Sequence, residues 1–251
     1  MTTAARGRVR IEPVEKWVRA YLGGEAIADT RRALLVWESP YFPHYYLPAE
    51  DVRTDLLVPT GETRRSPSRG DAQLFTIKAG DKEATNAAST YVDSPIDEIR
   101  GYYRFDWRSM DSWFEEDEEV FVHPRDPYTR VDIIRSSRHV EIRVNGVKVA
   151  DTHHPTLLFE TGLPTRYYIP KTDVRMDLLT PTDTHTSCPY KGDASYWTLE
   201  ADGETFTDIV WSYKHPVDES AKIAGLLSFY NEKVDIYVDG ELQERPKTHF
   251  A

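Results

Sequence analysis

The chain has 251 residues and a net charge of −11 at pH 7, and this acidity argues against a nucleic-acid partner or an anionic membrane surface, which need a basic patch. No apolar run approaches the ~18–20 residues that cross a bilayer, and the first residues lack the apolar segment of a signal peptide. With one cysteine, Cys188, and therefore no internal disulfide, the sequence predicts a cytoplasmic protein.

An internal repeat organises the chain. Gly70-Asp71-Ala72 returns 122 positions later as Gly192-Asp193-Ala194, and residues 28–91 align with residues 150–213 at the same offset without a gap. The repeated unit is about 110–125 residues long, which is an ordinary size for a domain. The sequence therefore predicts two tandem domains.

The predicted domain boundary falls in a proline-containing connector. We expect residues 1–130 to form repeat one with the connector, and residues 131–251 to form repeat two. Two prolines in the connector make it a short and rather stiff linker. A linker of this kind favours a fixed arrangement, so we expect the two repeats to pack on each other.

The hydrophobic pattern is mostly that of β-strands. Val140, Ile142 and Val144 alternate with polar residues, and Asn145-Gly146 then indicates a tight hairpin turn in which both central positions need positive φ. Repeat one has Gly23-Gly24 at the corresponding turn. Further strands are predicted in repeat two over residues 156–160, 166–169, 175–180, 194–200, 205–213 and 234–238.

One helix is predicted in each repeat. In repeat two, Ile223, Leu226, Leu227 and Tyr230 follow Pro216 and recur at the i, i+3, i+4, i+7 spacing of a helix. The corresponding segment of repeat one opens with a Ser-Pro pair, which is typical of a helix start. The predicted fold class is therefore mainly β (α+β): two tandem copies of a small β-meander domain, each with one helix packed on its sheet.

Asp173, Arg175 and Asp177 form the first candidate site. If the segment is a strand, alternate residues share a face and the three charges point the same way. The two carboxylates and the guanidinium then favour each other's charged forms. Both repeats keep this trio, so a structural ion-pair network is one interpretation and a binding or proton-accepting site is the other.

A second candidate site is the predicted loop over residues 185–197. It would bring together a thiol, two phenols, an ammonium group and a carboxylate from Cys188, Tyr190, Tyr196, Lys191 and Asp193. A cysteine close to a lysine or to His185 can act as a nucleophile. The alternative is that Cys188 is a small buried apolar residue, as most free cysteines are.

The third candidate is an aromatic and acidic lining in repeat two. It comprises Glu160, Tyr167, Tyr168, Trp211 and Tyr213, which lie on predicted strands near the loop. Such residues can line a small-molecule pocket. Two successive tyrosines on a strand point to opposite faces, however, so one of each pair is equally well explained as core.

These motifs resemble a known family. The run Cys188-Pro189-Tyr190-Lys191-Gly192, with Asp173-Val-Arg-Met-Asp-Leu-Leu179 and Trp211-Ser-Tyr213, is similar to the bacterial and fungal family called domain of unknown function 427. The resemblance covers about residues 16–120 and 138–243. It implies a small, mainly β, tent-like domain without an assigned activity. Repeat one departs from the family loop, with Ser66 in place of the thiol, so any activity is expected in repeat two.

The sequence predicts a small-molecule-binding protein with its pocket in repeat two. A thiol-dependent enzyme is the more specific form of this prediction, with Cys188 as nucleophile, Lys191 tuning the thiol or holding an anionic group, and Asp177 accepting protons. The alternative is a non-catalytic binding or interaction module built from two structural β domains. We expect neither a metal nor a cofactor, because the chain has no Cys-x-x-Cys pair and no glycine-rich phosphate loop. A metal-dependent enzyme that uses His185 with the aspartates is a third alternative.

Overall fold

The computed structural model describes residues 9–248 of the protein. The chain divides between Asp126 and Pro127 into two compact units, one for each repeat. Both units are built mainly from β-strands, so the predicted mainly β class is confirmed. Within the described residues no helix has the length and apolar character needed to cross a membrane.

Repeat one forms two antiparallel sheets. A seven-stranded sheet has the order β1-β4-β5-β9-β8-β7-β6, and a four-stranded sheet has the order β11-β10-β2-β3. The strands are β1 (Arg10–Pro13), β2 (Val18–Leu22), β3 (Glu25–Thr30), β4 (Leu34–Trp37), β5 (His44–Pro48), β6 (Leu57–Ser66), β7 (Gly70–Ala79), β8 (Lys82–Thr90), β9 (Tyr102–Phe105), β10 (Ser112–Glu115) and β11 (Glu118–Glu119).

Repeat two has the same two sheets. Its seven-stranded sheet has the order β12-β15-β16-β20-β19-β18-β17, and its four-stranded sheet the order β14-β13-β21-β22. The strands are β12 (Val131–Arg135), β13 (Val140–Val144), β14 (Val147–Thr152), β15 (Thr156–Glu160), β16 (Arg166–Ile169), β17 (Leu179–Cys188), β18 (Gly192–Ala201), β19 (Glu204–Tyr213), β20 (Leu227–Phe229), β21 (Asp235–Val238) and β22 (Glu241–Leu242).

The main core of repeat two lies between its two sheets. Alternate residues of β13 and β21 pack there against residues of the large sheet that include Tyr167, Leu199 and Phe229. A second, smaller core lies on the opposite face of the large sheet and includes Tyr168 and Ile223. The Tyr167-Tyr168 pair therefore buries one ring on each face, as strand alternation requires. Repeat one places Tyr45 and Tyr46 in its two cores in the same way.

The predicted hairpin turns are confirmed. Asn145 and Gly146 have φ of 47° and 79°, and Gly23 and Gly24 have φ of 58° and 78°. These are the positive values that a tight hairpin with right-handed strand twist needs at both central positions. The strands predicted over residues 156–160 and 166–169 are also present with those bounds.

The helix predicted in each repeat is a short 3-10 helix and not the longer helix that the spacing indicates. In repeat two the segment after Pro216 is a 3-10 helix over Asp218–Ile223, and Leu227 begins strand β20. Repeat one has only the short 3-10 segment Asp97–Ile99 at this place. The helical spacing arose because Ile223 packs in the smaller core whereas Leu227 packs between the sheets, so the apolar residues serve two faces. The other 3-10 segments are Ala49–Asp51, Thr54–Leu56, Trp107–Ser109, Lys171–Asp173 and Met176–Leu178.

The strand predicted over residues 175–180 begins only at Leu179. Lys171–Asp173 and Met176–Leu178 are 3-10 turns, and Val174 forms an isolated bridge to Ala150. Arg175 has φ −69° and ψ 75°, which is not an extended strand conformation. The alternation expected for Asp173, Arg175 and Asp177 is therefore absent.

Candidate functional site

One face of the large sheet in repeat two collects half of the predicted site residues. We call it the aromatic face: it points away from the four-stranded sheet and carries Tyr168, Tyr196, Trp211 and Tyr213. Tyr168 and Trp211 each pair with Ser228 of β20, and Trp211 pairs with Tyr196. Directly paired residues share a face of a sheet, so Tyr168, Ser228, Trp211 and Tyr196 form one row across it.

Hydroxyl and indole groups contact one another along the aromatic face. Trp211 Nε1 donates to the Tyr168 hydroxyl at 3.2 Å, and the Thr186 and Tyr196 hydroxyls lie 2.8 Å apart. The Ser228 hydroxyl is fully buried in the same row and has no hydrogen-bond partner among the described residues. The face is thus aromatic with polar groups at defined positions, and each of its four rings is at most 7% exposed.

Cys188 lies at the rim of the aromatic face. It ends β17 and pairs with Gly192 across a tight hairpin turn of Pro189, Tyr190 and Lys191. The predicted loop is therefore mostly strand, because β17 continues to Cys188 and β18 begins at Gly192. Strand alternation puts the thiol on the same face as Thr186. Its side chain is half-buried and forms no disulfide.

Gly192 is required at this turn by both its conformation and its surroundings. Its φ is +93°, and a β-carbon there would lie 3.1 Å from the His215 carbonyl oxygen and 3.3 Å from the Val217 nitrogen. Val217 N donates to the Lys191 carbonyl, and the Ser220 hydroxyl donates to the Tyr190 carbonyl at 2.8 Å. The segment after β19 thus holds the turn that carries Cys188.

The turn that follows Cys188 contributes one partner of a buried ion pair. Lys191 Nζ lies 2.5 Å from Glu160 Oε2, and both side chains are about nine-tenths buried. Glu160 is on the aromatic face, since Leu158, two residues before it on β15, is part of the same small core. The ammonium group of Lys191 is therefore fixed by a carboxylate rather than free in solvent.

Two phenols of the aromatic face, Tyr168 and Tyr213, stay protonated at neutral pH. Burial is the main cause that raises the pKa of Tyr168, with smaller contributions from the charges of Glu160 and Cys188. Burial likewise raises the pKa of Tyr213 well above its usual value, with further contributions from Tyr168 and Cys188. A phenol with a raised pKa stays protonated, so neither tyrosine serves as a general base.

A second buried ion pair supports the aromatic face. Arg166 donates to both carboxylate oxygens of Glu232 at 2.7 and 2.8 Å, and the Thr248 hydroxyl donates to the same carboxylate. The Arg166 guanidinium lies 5.6 Å from the Trp211 ring centroid and 5.9 Å from that of Tyr230. Burial raises the pKa of the Glu232 carboxyl, but the hydrogen bonds from Arg166, Thr248 and the backbone together outweigh burial and lower this pKa to about 2.

The predicted charged trio does not lie near the Cys188 thiol. It comprises Asp173, Arg175 and Asp177. Arg175 and Asp177 form an exposed bidentate pair, with distances of 2.8 and 2.6 Å, just before β17 begins. Cys188 ends the same ten-residue strand, so about 30 Å of strand separates the two places. Asp173 instead accepts a hydrogen bond from Thr152 at 2.6 Å. The predicted trio is therefore split into two local interactions.

His185 and Asp193 lie on the opposite face of the β17–β18 hairpin from the thiol. His185 pairs with Ser195, and Ser187 donates to Asp193 at 2.5 Å. Both are at odd positions of strands whose even positions, such as Cys188, face the aromatic cluster. Tyr190 lies in the turn itself, half-buried. Of the predicted residues, the structure thus brings together Cys188, Lys191, Tyr168, Tyr196, Trp211 and Tyr213.

The predicted site lacked four residues that lie on or beside the aromatic face, namely Arg166, Glu232, Tyr230 and Thr186. Arg166 stands two positions before Tyr168 on the same strand, and this spacing alone indicated that it shares the aromatic face. Tyr230 was predicted to lie on a helix, which hid its contact with Trp211 at 4.7 Å between ring centroids. Nothing in the local sequence indicates that Glu232 is buried.

Repeat one carries a related buried cluster at the equivalent place. Glu38 and Arg69 correspond to Glu160 and Lys191, and Tyr46 and Tyr91 correspond to Tyr168 and Tyr213. The Tyr46 hydroxyl donates to Glu38 at 2.8 Å, and Arg69 Nε donates to the Tyr91 hydroxyl at 3.2 Å. The carboxylate–cation pair and its tyrosines are therefore common to both repeats, whereas the thiol is confined to repeat two.

A histidine in this cluster makes repeat one sensitive to acid. Burial and the positive charge of Arg104 lower the pKa of His44 from 6.5 to about 4, although Glu38 opposes the shift. The unfolded chain binds this proton at a higher pH than the folded one does. The stabilisation is therefore complete above pH 6.5 and is lost as the pH falls toward 4.

We expect repeat one to lose about 2 kcal/mol of unfolding free energy between pH 6.5 and about pH 5 through His44. Urea unfolding of the full chain across this window, with repeat-one peptides followed by hydrogen exchange, measures the loss. The variant His44→Gln is expected to flatten the pH dependence in this window. The pKa of Glu38 is lowered, so this carboxylate affects stability only at more acidic pH. An equally steep loss of stability in His44→Gln would therefore show that a group other than His44 and Glu38 causes it.

The fold and the site define a tandem protein of two-sheet β domains, each with a buried carboxylate–cation pair beside its tyrosines. The chain belongs to the family described as domain of unknown function 427, whose model matches residues 10–116 and 132–240. The family resemblance drawn from the Cys-Pro-Tyr-Lys-Gly run is thus confirmed for both repeats. A comparison with curated proteins gives no match to the chain.

Proposed function

We propose that the protein binds a small molecule at the aromatic face of repeat two and that Cys188 is the group that reacts with it. The observation that carries this proposal is the convergence of a half-buried thiol, a fixed lysine and protonated phenols on one face. Aromatic walls with a few placed polar groups are typical of small-molecule sites.

Each group has a role in this proposal. Cys188 is the nucleophile, and Lys191, held by Glu160, provides positive charge beside the thiol or beside an anionic group of the ligand. The Tyr168 hydroxyl is available as a hydrogen-bond donor, since its pKa is raised. Glu160 takes the place that the sequence suggested for Asp177, because it lies with Cys188 on the aromatic face.

The alternative is a non-catalytic binding module, and one observation favours it. Repeat one keeps an equivalent ion pair, Glu38 with Arg69 at 3.3 Å, although its hairpin carries Ser66 in place of the thiol. An ion pair retained without a nucleophile is consistent with a purely structural role in holding the hairpin to β15 or β4. The reactivity of Cys188 distinguishes the two functions.

We expect iodoacetamide to alkylate Cys188 in the native chain at neutral pH at least as fast as in the urea-unfolded chain. Because the chain has one cysteine, the intact mass reports this reaction alone. Lys191→Met removes the neighbouring positive charge and is expected to slow alkylation roughly three- to tenfold. Lys191→Arg, which introduces the residue of repeat one, is the matched control and is expected to keep most of the rate.

A thiol that reacts only after unfolding would remove the nucleophile from the proposal and leave the binding module. Equal rates in the native wild-type chain and in Lys191→Met would instead show that the ammonium group does not act on the thiol. Cys188→Ser provides the blank for labelling elsewhere on the chain.

A further inference from the structure

Repeat one contains a cluster of charges in which cations outnumber anions. We call it the Glu38 cluster: Glu38, His44, Tyr46, Arg69, Tyr91 and Arg104. Glu38 lies 2.9 Å from Arg104 Nε and 3.3 Å from a terminal nitrogen of Arg69. Within residues 9–248 neither guanidinium forms an ion pair with any other carboxylate. One negative charge therefore faces two positive charges.

The cluster is largely desolvated but reachable from solvent. The side chains of Glu38, Arg69 and Arg104 are 15%, 11% and 17% exposed. Partial burial makes an unbalanced positive charge unfavourable, because the charge is removed from water without full compensation. An anion entering from the exposed side would restore the balance.

The donors of the two arginines are incompletely used. Arg104 Nε is buried without a hydrogen-bond partner, since its N–H does not point at Glu38 despite the short ion-pair distance. Another Arg104 nitrogen lies 3.5 Å from His44 Nδ1, at the limit of a hydrogen bond. A guanidinium has five N–H donors, so the two arginines have N–H groups that do not donate to any acceptor within the described residues.

We propose that the Glu38 cluster binds a small oxyanion, the carboxylate or phosphate group of an organic molecule, between Arg69 and Arg104. Planar guanidinium groups bind both kinds of group through paired hydrogen bonds. The Tyr91 hydroxyl accepts a hydrogen bond from Arg69 Nε and holds that guanidinium in place.

An aromatic wall adjoins the cluster. The Phe42 ring lies 5.3 Å from the His44 ring and is stacked on His123 at 4.3 Å between centroids. Such a wall suits the apolar part of a ligand whose oxyanion is held by the arginines. The site is distinct from the aromatic face of repeat two and takes a ligand recognised by charge.

Repeat two lacks this charge excess. Ser228 occupies the position of Arg104, and Lys191 is balanced by Glu160. The further cation on its aromatic face, Arg166, has its own carboxylate in Glu232. Oxyanion binding is therefore assigned to repeat one alone.

Isothermal titration calorimetry of the full chain with inorganic phosphate and, separately, with acetate at constant ionic strength tests this proposal. We expect one saturable site, and the tighter of the two anions identifies the oxyanion. Arg104→Gln is expected to weaken binding at least tenfold. Arg65→Gln removes an arginine that is 78% exposed and pairs with Asp71 on the neighbouring strand, and it is expected to leave the affinity unchanged.

Glu38→Gln gives a test that does not depend on whether Arg104→Gln folds. It removes the carboxylate that competes for both guanidiniums, so we expect binding to become at least threefold tighter. Weaker or unchanged binding in Glu38→Gln would overturn the proposal, as would the lack of saturable heat with both anions in the wild-type chain. Equal losses in Arg104→Gln and Arg65→Gln would reduce the effect to general surface charge and overturn it as well.

Discussion

Replacing Glu232 with alanine is expected to destabilise repeat two by about 3–5 kcal/mol. Arg166 is 8% exposed and Glu232 fully buried in their side chains, and the guanidinium donates to both carboxylate oxygens. The variant removes the carboxylate that accepts two hydrogen bonds from a buried guanidinium, and the lost compensation for burying that charge is more unfavourable than losing the attraction alone. It also releases the Thr248 hydroxyl, which donates to the carboxylate at 2.6 Å.

Denaturant unfolding of the full chain, with repeat-two peptides followed by hydrogen exchange, measures this loss. Asp177→Ala is the matched control, because Arg175 and Asp177 have the same bidentate geometry but are 55% and 61% exposed. We expect the control to leave the unfolding midpoint unchanged, since exposed pairs are screened by water. Similar losses in the two variants would contradict the expectation that burial determines the strength of the effect.

The same pair predicts an acid limit for repeat two. The folded pKa of Glu232 is about 2, below its usual 4.5. The stabilisation is therefore present above pH 4.5 and is lost as the pH falls toward 2.

In the double variant Arg166→Met with Glu232→Leu, both charges are gone, and the effect of such replacements on stability is often close to neutral. We expect the double variant to be more stable than Glu232→Ala.

Gly23→Ala is expected to destabilise repeat one by about 2–5 kcal/mol, the sum of two terms. Alanine in the left-handed conformation that Gly23 adopts, with φ +58°, costs about 1–2 kcal/mol. Its β-carbon would also lie 2.1 Å from the Ala79 carbonyl oxygen, so two backbone turns must move apart, which costs about 1–3 kcal/mol. Gly80, in the facing turn, is close enough that its own β-carbon would lie 2.5 Å from the Gly23 oxygen.

Gly24→Ala separates the two terms. Gly24 follows in the same turn with φ +78°, and a β-carbon there would meet nothing within 4 Å. We expect only the conformational part of the loss, about 1–2 kcal/mol. Thermal unfolding of both variants in the full chain decides between the terms, and equal losses would show that the close approach to Ala79 contributes nothing.

Repeat two has other residues at the two corresponding turn positions. Asn145 and Asp202 stand where repeat one has Gly23 and Gly80, with φ of 47° and 50°. Asn145 donates from its side-chain amide to Glu204 at 2.9 Å. The turns of repeat two therefore accommodate side chains that the turns of repeat one exclude.

Features fixed by neighbouring residues were predictable from the sequence. The duplication, the alternation of β13 and the Asn145-Gly146 turn depend on local pattern, and all three are present. The helix in repeat two is shorter than predicted because a helical spacing of apolar residues also results when a 3-10 helix is followed by a short strand. Ile223 and Leu227 then face different cores, which no single-segment pattern distinguishes.

The charged clusters were not predictable in the same way. Glu38, Arg69 and Arg104 come from separate parts of repeat one and meet only because β9 is inserted between β5 and β8 in the sheet. Sequence comparison of the two hairpins showed that Ser66 replaces Cys188, and this suggested a degenerate first repeat. The structure shows that repeat one instead holds its own group of buried charges, in which cations outnumber anions.

The row across the large sheet also constrains how the two repeats can diverge. Repeat one pairs the small Ser89 with the long Arg104, whereas repeat two pairs the bulky Trp211 with the small Ser228. A single exchange at either position would put two large side chains, or two small ones, next to each other. We therefore expect chimeras of the two repeats to need both positions exchanged together.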